Sequence, residues 1–139
     1  MQPHRLQKDL GALVNADAIA SAASELGLRL SEPQSDALVH YAALLMRWNT
    51  VHNLTAIETP SQMLTHHLLD SLAIVPEVQR TAGGRSARVL DVGAGGGLPG
   101  IPLAIALPYL QVTLVDKVQK KIAFLTQAKL ELALDNVTC

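Results

Sequence analysis

Apolar positions recur every three or four residues through the first half of the chain and condense into short Val- and Leu-rich runs beyond residue 87. The first pattern predicts helices and the second predicts strands. An Ala-rich segment dotted with Leu and Ile runs from Asn15 to Leu26 and stops at Gly27, with Asn and Gly at its two ends as caps. Ser31 and Gln34 have capping-box spacing, and Leu38, Tyr41, Leu45 and Trp48 follow on one helical face. A break is expected over residues 49–58. Thr59 and Pro60 then start a third helix that reaches about Pro76 and resumes beyond it. Residues 1–14 read as a loosely ordered start.

Gly83, Gly84, Arg85 and Ser86 form the expected linker. After it, residues 88–92 read as a strand, 100–107 as a helix ended by Pro108, 111–115 as a strand, 118–134 as a helix, and 136–139 as the opening of a third strand. This alternation is the βαβ pattern of an α/β fold with a doubly wound, mainly parallel, Rossmann-like sheet. The chain divides into an N-terminal helical region, residues 1–87, and the first part of a sheet domain, residues 88–139. A parallel sheet normally buries both faces and needs several strands. The expectation is therefore a fold incomplete at the C-terminus, the sequence being a truncated piece.

Composition narrows the function classes. The 139 residues are 49% hydrophobic and 17% charged, with four aromatics, so the core is built from Leu, Val, Ile and Ala. The single cysteine, Cys139, excludes an intrachain disulfide and a cysteine metal cluster. No segment has signal-peptide character or approaches membrane-spanning length, so a soluble cytoplasmic protein without a membrane partner is expected. The net charge is −1, with six Lys/Arg against eight Asp/Glu up to residue 87 and five against four after it. Neither part is basic enough to announce a nucleic-acid binder. Lys117, Lys120 and Lys121 form a small cluster that reads first as a solvated face. The Asn53 and Asn136 glycosylation-type triplets are coincidental in such a chain.

The chemistry concentrates in Val89-Leu90-Asp91-Val92-Gly93-Ala94-Gly95-Gly96-Gly97-Leu98-Pro99-Gly100. Glycines after an apolar strand let the backbone turn and approach a ligand closely. Gly95, Gly97 and Gly100 match the dinucleotide fingerprint, and Asp116 ends the next strand where a ribose-binding acid belongs. Asp91 lies inside the strand, beside the loop. A pyrophosphate has no need of a negative charge there, whereas a cationic cofactor is favoured by it, which points to the sulfonium of S-adenosylmethionine. Pro99 agrees, since it removes an amide donor at the helix start. The plain alternatives are a carboxylate satisfied by loop amides for Asp91 and a solvated strand end for Asp116. His66, His67 and Asp70 lie close in sequence, but no further ligand has matching spacing, so a metal site is not supported. Trp48, Tyr41 and Leu45 read as core, and Asn49 and Asn53 as residues closing a helix end and a turn.

Residues 41–57, with Arg47-Trp48-Asn49 and Asn53-Leu54-Thr55-Ala56-Ile57, then His67-Leu68-Leu69-Asp70-Ser71-Leu72, and finally the loop with its Leu98-Pro99-Gly100-Ile101-Pro102 extension, resemble the ribosomal RNA small subunit methyltransferase G family, also called glucose-inhibited division protein B. The resemblance spans about residues 38–137. It implies a Rossmann-like S-adenosylmethionine-dependent methyltransferase fold and methylation of guanine N7 in the 530 loop of bacterial 16S rRNA, with the small ribosomal subunit as partner. It implies cofactor contacts at Gly93 and Leu98, alongside Asp91, Gly95, Gly97 and Asp116 from the loop reading. The family's other cofactor contacts, an Ala-Glu pair and an arginine, lie past Cys139. The chain departs at Lys117, where the family usually has Ser, at Lys121, where it favours Arg, and at His66, where Arg is common. N7 carries a lone pair and no proton, so no catalytic residue is expected. Arg47, Lys117, Lys120 and Lys121 are the candidates for phosphate contacts. A monomer is expected. The competing readings are a nicotinamide-dependent oxidoreductase and a non-catalytic fragment that binds ribosomal partners.

Overall fold

Three helical starts of the first half carry a side-chain cap, at Asn15, Ser31 and Thr59. In the computed structural model, which describes residues 12–56 and 59–139, Asn15 accepts from the Ala18 amide to open α1 (Ala16–Glu25). Ser31 and Gln34 close a reciprocal capping box at the start of α2 (Glu32–His52). Thr59 caps a rod built from α3 (Pro60–Gln62), a π-helical segment π1 (Met63–Leu69) and α4 (Asp70–Ala73), after which α5 (Val75–Ala82) follows with Pro76 in its first turn.

Two of these elements differ from expectation. The break expected from residue 49 begins only at Asn53, which takes the left-handed conformation (φ 52°, ψ 51°) that ends a helix. Asn49 stays helical and acts from within α2, its side-chain oxygen accepting from the Thr55 amide at 2.7 Å to close the turn beyond. The third helix is not α-helical throughout. Met63 and Leu68, five residues apart, are both fully buried, and a five-residue repeat is held on one face by π rather than α hydrogen bonding. The start expected to be loose over residues 1–14 falls outside the described residues as far as residue 11. Val14 is buried in the core.

The sheet is parallel, in the order β1 (Ala87–Val92), β2 (Leu110–Val115), β3 (Val137–Thr138). The crossovers are α6 (Gly100–Ala106) and α7 (Gln119–Glu131). The α/β class and the alternation read from the sequence are thus present. Register pairs Ala87, Val89 and Asp91 with Leu110, Val112 and Leu114 on the face that the helices cover. The opposite face leaves Leu90 63%, Val92 74% and Val115 44% exposed, so among the described residues only one face of the sheet is layered. Among those residues no helix is long and apolar enough to cross a membrane.

The two parts of the chain share one core. Helix α2 is buried along more than one stripe, at Leu38, Tyr41, Ala42, Leu44 and Leu45, because it packs against α1 and π1 and also against α6 and α7. Phe124 of α7 is fully buried and meets Trp48 edge to face at 5.6 Å and Tyr41 at 6.4 Å. Gln34 goes beyond its capping role, donating to the Ile105 and Ala106 carbonyls at 3.1 Å and so satisfying the open end of α6. Asn136 satisfies the Ala104 carbonyl from the other side.

Candidate functional site

The chain leaves β1 at its C-terminal edge, and its first loop amides stay on the sheet. Gly93 and Ala94 both donate to the Val115 carbonyl, at 2.7 and 3.0 Å. Next, Gly95 donates to Asp116 Oδ2 at 2.9 Å, while Asp116 Oδ1 accepts from Val118 at 2.8 Å. One carboxylate therefore ties the glycine loop to the turn before α7. These two amides, Val118 first, hold the Asp116 carboxyl below its ordinary range, helped by Lys121 and Lys117 nearby. Gly97 and Leu98 turn back to the Ala94 carbonyl, and Gly100 donates to Asp91 Oδ2 at 3.1 Å.

Asp91 is thus a remote cap. Pro99, at the start of α6, offers no side-chain cap, and the strand carboxylate supplies it from beneath. Burial raises the Asp91 carboxyl, and the Gly100 N–H pulls it partly back. A half-buried carboxylate in that condition favours a nearby positive charge. The bland reading of Asp91, satisfaction by loop amides, holds for Oδ2.

The glycines divide by what requires them. Gly93 is exposed at φ 72°, with open space where a side chain would stand, so its backbone can be approached from outside. Gly97 faces inward, where an added Cβ would lie 2.6 Å from Ile101 Cδ1 and 3.0 Å from Leu125 Cδ2. Gly100 is equally closed, 2.3 Å from Leu114 Cδ2. Leu98 is half-buried against the core. An open depression lined by Asp116, Lys117, Gln119, Ile122 and Ala123 lies beside the Asp116 carboxylate.

The helical region forms the wall behind the loop, a role the sequence reading missed. A Cβ on Gly96 would meet Leu45 Cδ1 at 3.0 Å and Thr55 Cγ2 at 3.1 Å, and the Tyr41 hydroxyl donates to the Gly96 carbonyl. From sequence alone Tyr41 reads as plain core. The only signal available was a hydroxyl on an otherwise apolar helix face, since a buried phenol needs a partner. Lys120 spends its ammonium on the His52 carbonyl at the end of α2, whereas Lys117 and Lys121 lie near Asp116. Arg47 lies on α2 near Glu131. His66, His67 and Asp70 fall in π1 and the start of α4, and the His67 Nε2 is buried with its pKa lowered, chiefly by desolvation.

Two outcomes check this geometry. Gly93→Ala should cost about 1–2 kcal/mol from its left-handed backbone alone, and Gly97→Ala about 1–3 kcal/mol more from overpacking. Urea denaturation that ranked them equally would contradict the inward placement of Gly97. Because the folded pKa of Asp116 is depressed, its contribution to stability is complete above about pH 5 and disappears as pH falls through the folded value. The melting-temperature gap between the protein and Asp116→Asn should therefore narrow on acidification from pH 7 to about pH 3. A gap independent of pH would contradict the amide clamp.

Comparison with known proteins bears on the same segments. Residues 34–139 match the family model described as rRNA small subunit methyltransferase G. The chain is similar to the ribosomal RNA small subunit methyltransferase G of Burkholderia thailandensis, 54% identical over 139 residues that cover 99% of this chain and 59% of that protein. It is 58% identical to the protein of that name from Ralstonia nicotianae, over 85% of this chain and 54% of the relative. With the Pseudomonas entomophila protein it shares 48% identity, over 89% and 56%. The chain spans about half the length of the curated relatives it matches. Those matches take in the capped α2, the turn behind the glycine loop and the loop itself, and on them the chain belongs to the rRNA small subunit methyltransferase G family.

Proposed function

We propose that this chain carries the S-adenosylmethionine site of a methyltransferase that modifies guanine N7 of 16S rRNA in the small ribosomal subunit, in the cytoplasm. The observation that carries the cofactor choice is the state of the loop amides. Those of Gly95, Gly97, Leu98 and Gly100 are already bound within the protein, and Pro99 has none. A pyrophosphate takes its hydrogen bonds from free amides at this place, so a dinucleotide is poorly served. Family membership likewise favours a methyl donor over the nicotinamide alternative.

When bound, S-adenosylmethionine supplies an electrophilic methyl group on a positively charged sulfur. Asp91 would balance that charge with the oxygen not bonded to Gly100, and the open space at Gly93 would let a ligand approach the backbone, with Gly95, Gly97 and Leu98 shaping the turn. Asp116, fixed by two amides, keeps lone pairs for ribose hydroxyls. The depression beside it would hold the adenosine end. Guanine N7 would take the methyl group through its lone pair as the methyl–sulfur bond breaks, with no proton to lose, so the protein's task is alignment, which can supply several kcal/mol. No side chain serves as a general base. The negative field of Asp91 also suits a reaction in which positive charge moves from sulfur to the purine.

In this reading the N-terminal helical region, residues 1–87, supplies α2 and the turn after it as the backing of the cofactor loop, and residues 88–139 open the cofactor-binding domain. Lys117, Lys121 and Arg47 are the candidates for phosphate contacts, with Lys120 committed to α2. A net charge of −1 makes naked RNA a weak partner, so the assembled small subunit supplies part of the recognition, to a monomeric enzyme.

The test is methyl transfer. The purified protein with methyl-labelled S-adenosylmethionine should label 16S rRNA in small subunits that lack the modification, at a guanine that becomes cleavable after borohydride and aniline treatment. Naked 16S rRNA should be labelled less. Label at a position resistant to that cleavage would overturn the N7 assignment, and absence of label on either substrate would overturn the activity.

A further inference from the structure

We propose that Tyr41 is a positioning residue for the cofactor loop, its hydroxyl reaching from helix α2 to hold the Gly96 carbonyl and thereby the orientation of the Gly96–Gly97 peptide. The inference rests on the cofactor reading of this loop and adds a residue from the helical region to it.

Neighbouring polar groups of the loop are held from different sides. Asp116, just past β2, accepts from the Gly95 N–H, and the Tyr41 hydroxyl, from α2, donates to the Gly96 carbonyl. Leu45 and Thr55 close against Gly96 from the same side as Tyr41. Between the two clamps this stretch of glycine backbone, which would otherwise sample many conformations, is set in one. Tyr41 is itself immobile. It is fully buried in the middle of a capped 21-residue helix, and its ring lies 6.4 Å from Phe124. Burial, with Asp91 nearby, raises the phenol well above its ordinary value, so the hydroxyl stays protonated and remains a donor. A plain core tyrosine would need any acceptor for its hydroxyl. This one uses an acceptor 55 residues away in sequence, on the stretch between the exposed Gly93 and the inward-facing Gly97.

Tyr41→Phe removes the donor and keeps the ring. Leu38→Val, one turn earlier on α2, thins the same buried face without touching the loop and serves as the control for stability alone. Affinity for S-adenosylhomocysteine is measured by calorimetry well below the melting temperature, with amide hydrogen exchange followed over residues 93–100. The expected result is a loss of about tenfold in affinity for Tyr41→Phe, the worth of one hydrogen bond. The loop should also exchange faster, while Leu38→Val binds within about twofold of the parent protein at a comparable loss of melting temperature. If Tyr41→Phe melts lower but binds within about twofold and its loop exchanges as before, the hydroxyl is only structural and the proposal falls. If the parent protein itself binds no S-adenosylhomocysteine, the cofactor reading fails, a result distinct from a loss confined to the variant.

Discussion

A chain that leaves a buried strand and turns into a helix within eight residues must find a partner for every backbone polar group it buries on the way. The rest of this structure is arranged around that requirement. Val115 takes two amides, Asp116 one, Ala94 two and Asp91 the one at the start of α6, while Tyr41 satisfies a carbonyl. The partners come from β1, β2, α2 and the loop itself. The glycine turn is therefore a joint on which the helical region and the sheet converge, and its shape is set before any ligand arrives.

The same logic explains why the helical region does not stand apart. Gln34 closes the end of α6, Lys120 closes the end of α2, and Asn136 reaches back to α6. Trp48 and Phe124 interlock between them. The hydrogen bonds of Gln34, Lys120 and Asn136 each satisfy a helix terminus with a side chain from another element, so separating the elements would expose unpaired carbonyls. The far face of the sheet is a contrast, where Leu90, Val92 and Val115 stand in solvent with nothing among the described residues to cover them.

Local chemistry was legible in the sequence. Asn15, Ser31, Gln34 and Thr59 cap where their spacing says they should, and the βα alternation follows from short apolar runs cut by Gly and Pro. Asp91 and Asp116 were singled out by position alone, and both carboxylates bond the loop backbone. What was not legible depends on distance along the chain. Nothing near Asn49 shows that α2 continues through it to a left-handed Asn53, because the residue it bonds, Thr55, lies beyond the helix. The π turn arises from burying Met63 and Leu68 together, which depends on the neighbouring helices. Tyr41 looked like core because its acceptor belongs to a glycine, and a glycine displays no side-chain pattern to pair with.

The central claim is that this preset loop takes a sulfonium cofactor and not a dinucleotide. Thermal unfolding of the protein with S-adenosylmethionine, S-adenosylhomocysteine or NAD in separate samples tests it most directly. The account predicts a transition raised by the first two, by the equivalent of about 2.7 kcal/mol at a hundredfold excess over the dissociation constant, and unmoved by NAD. A rise with NAD alone, or a cooperative transition that none of the three shifts, would contradict it.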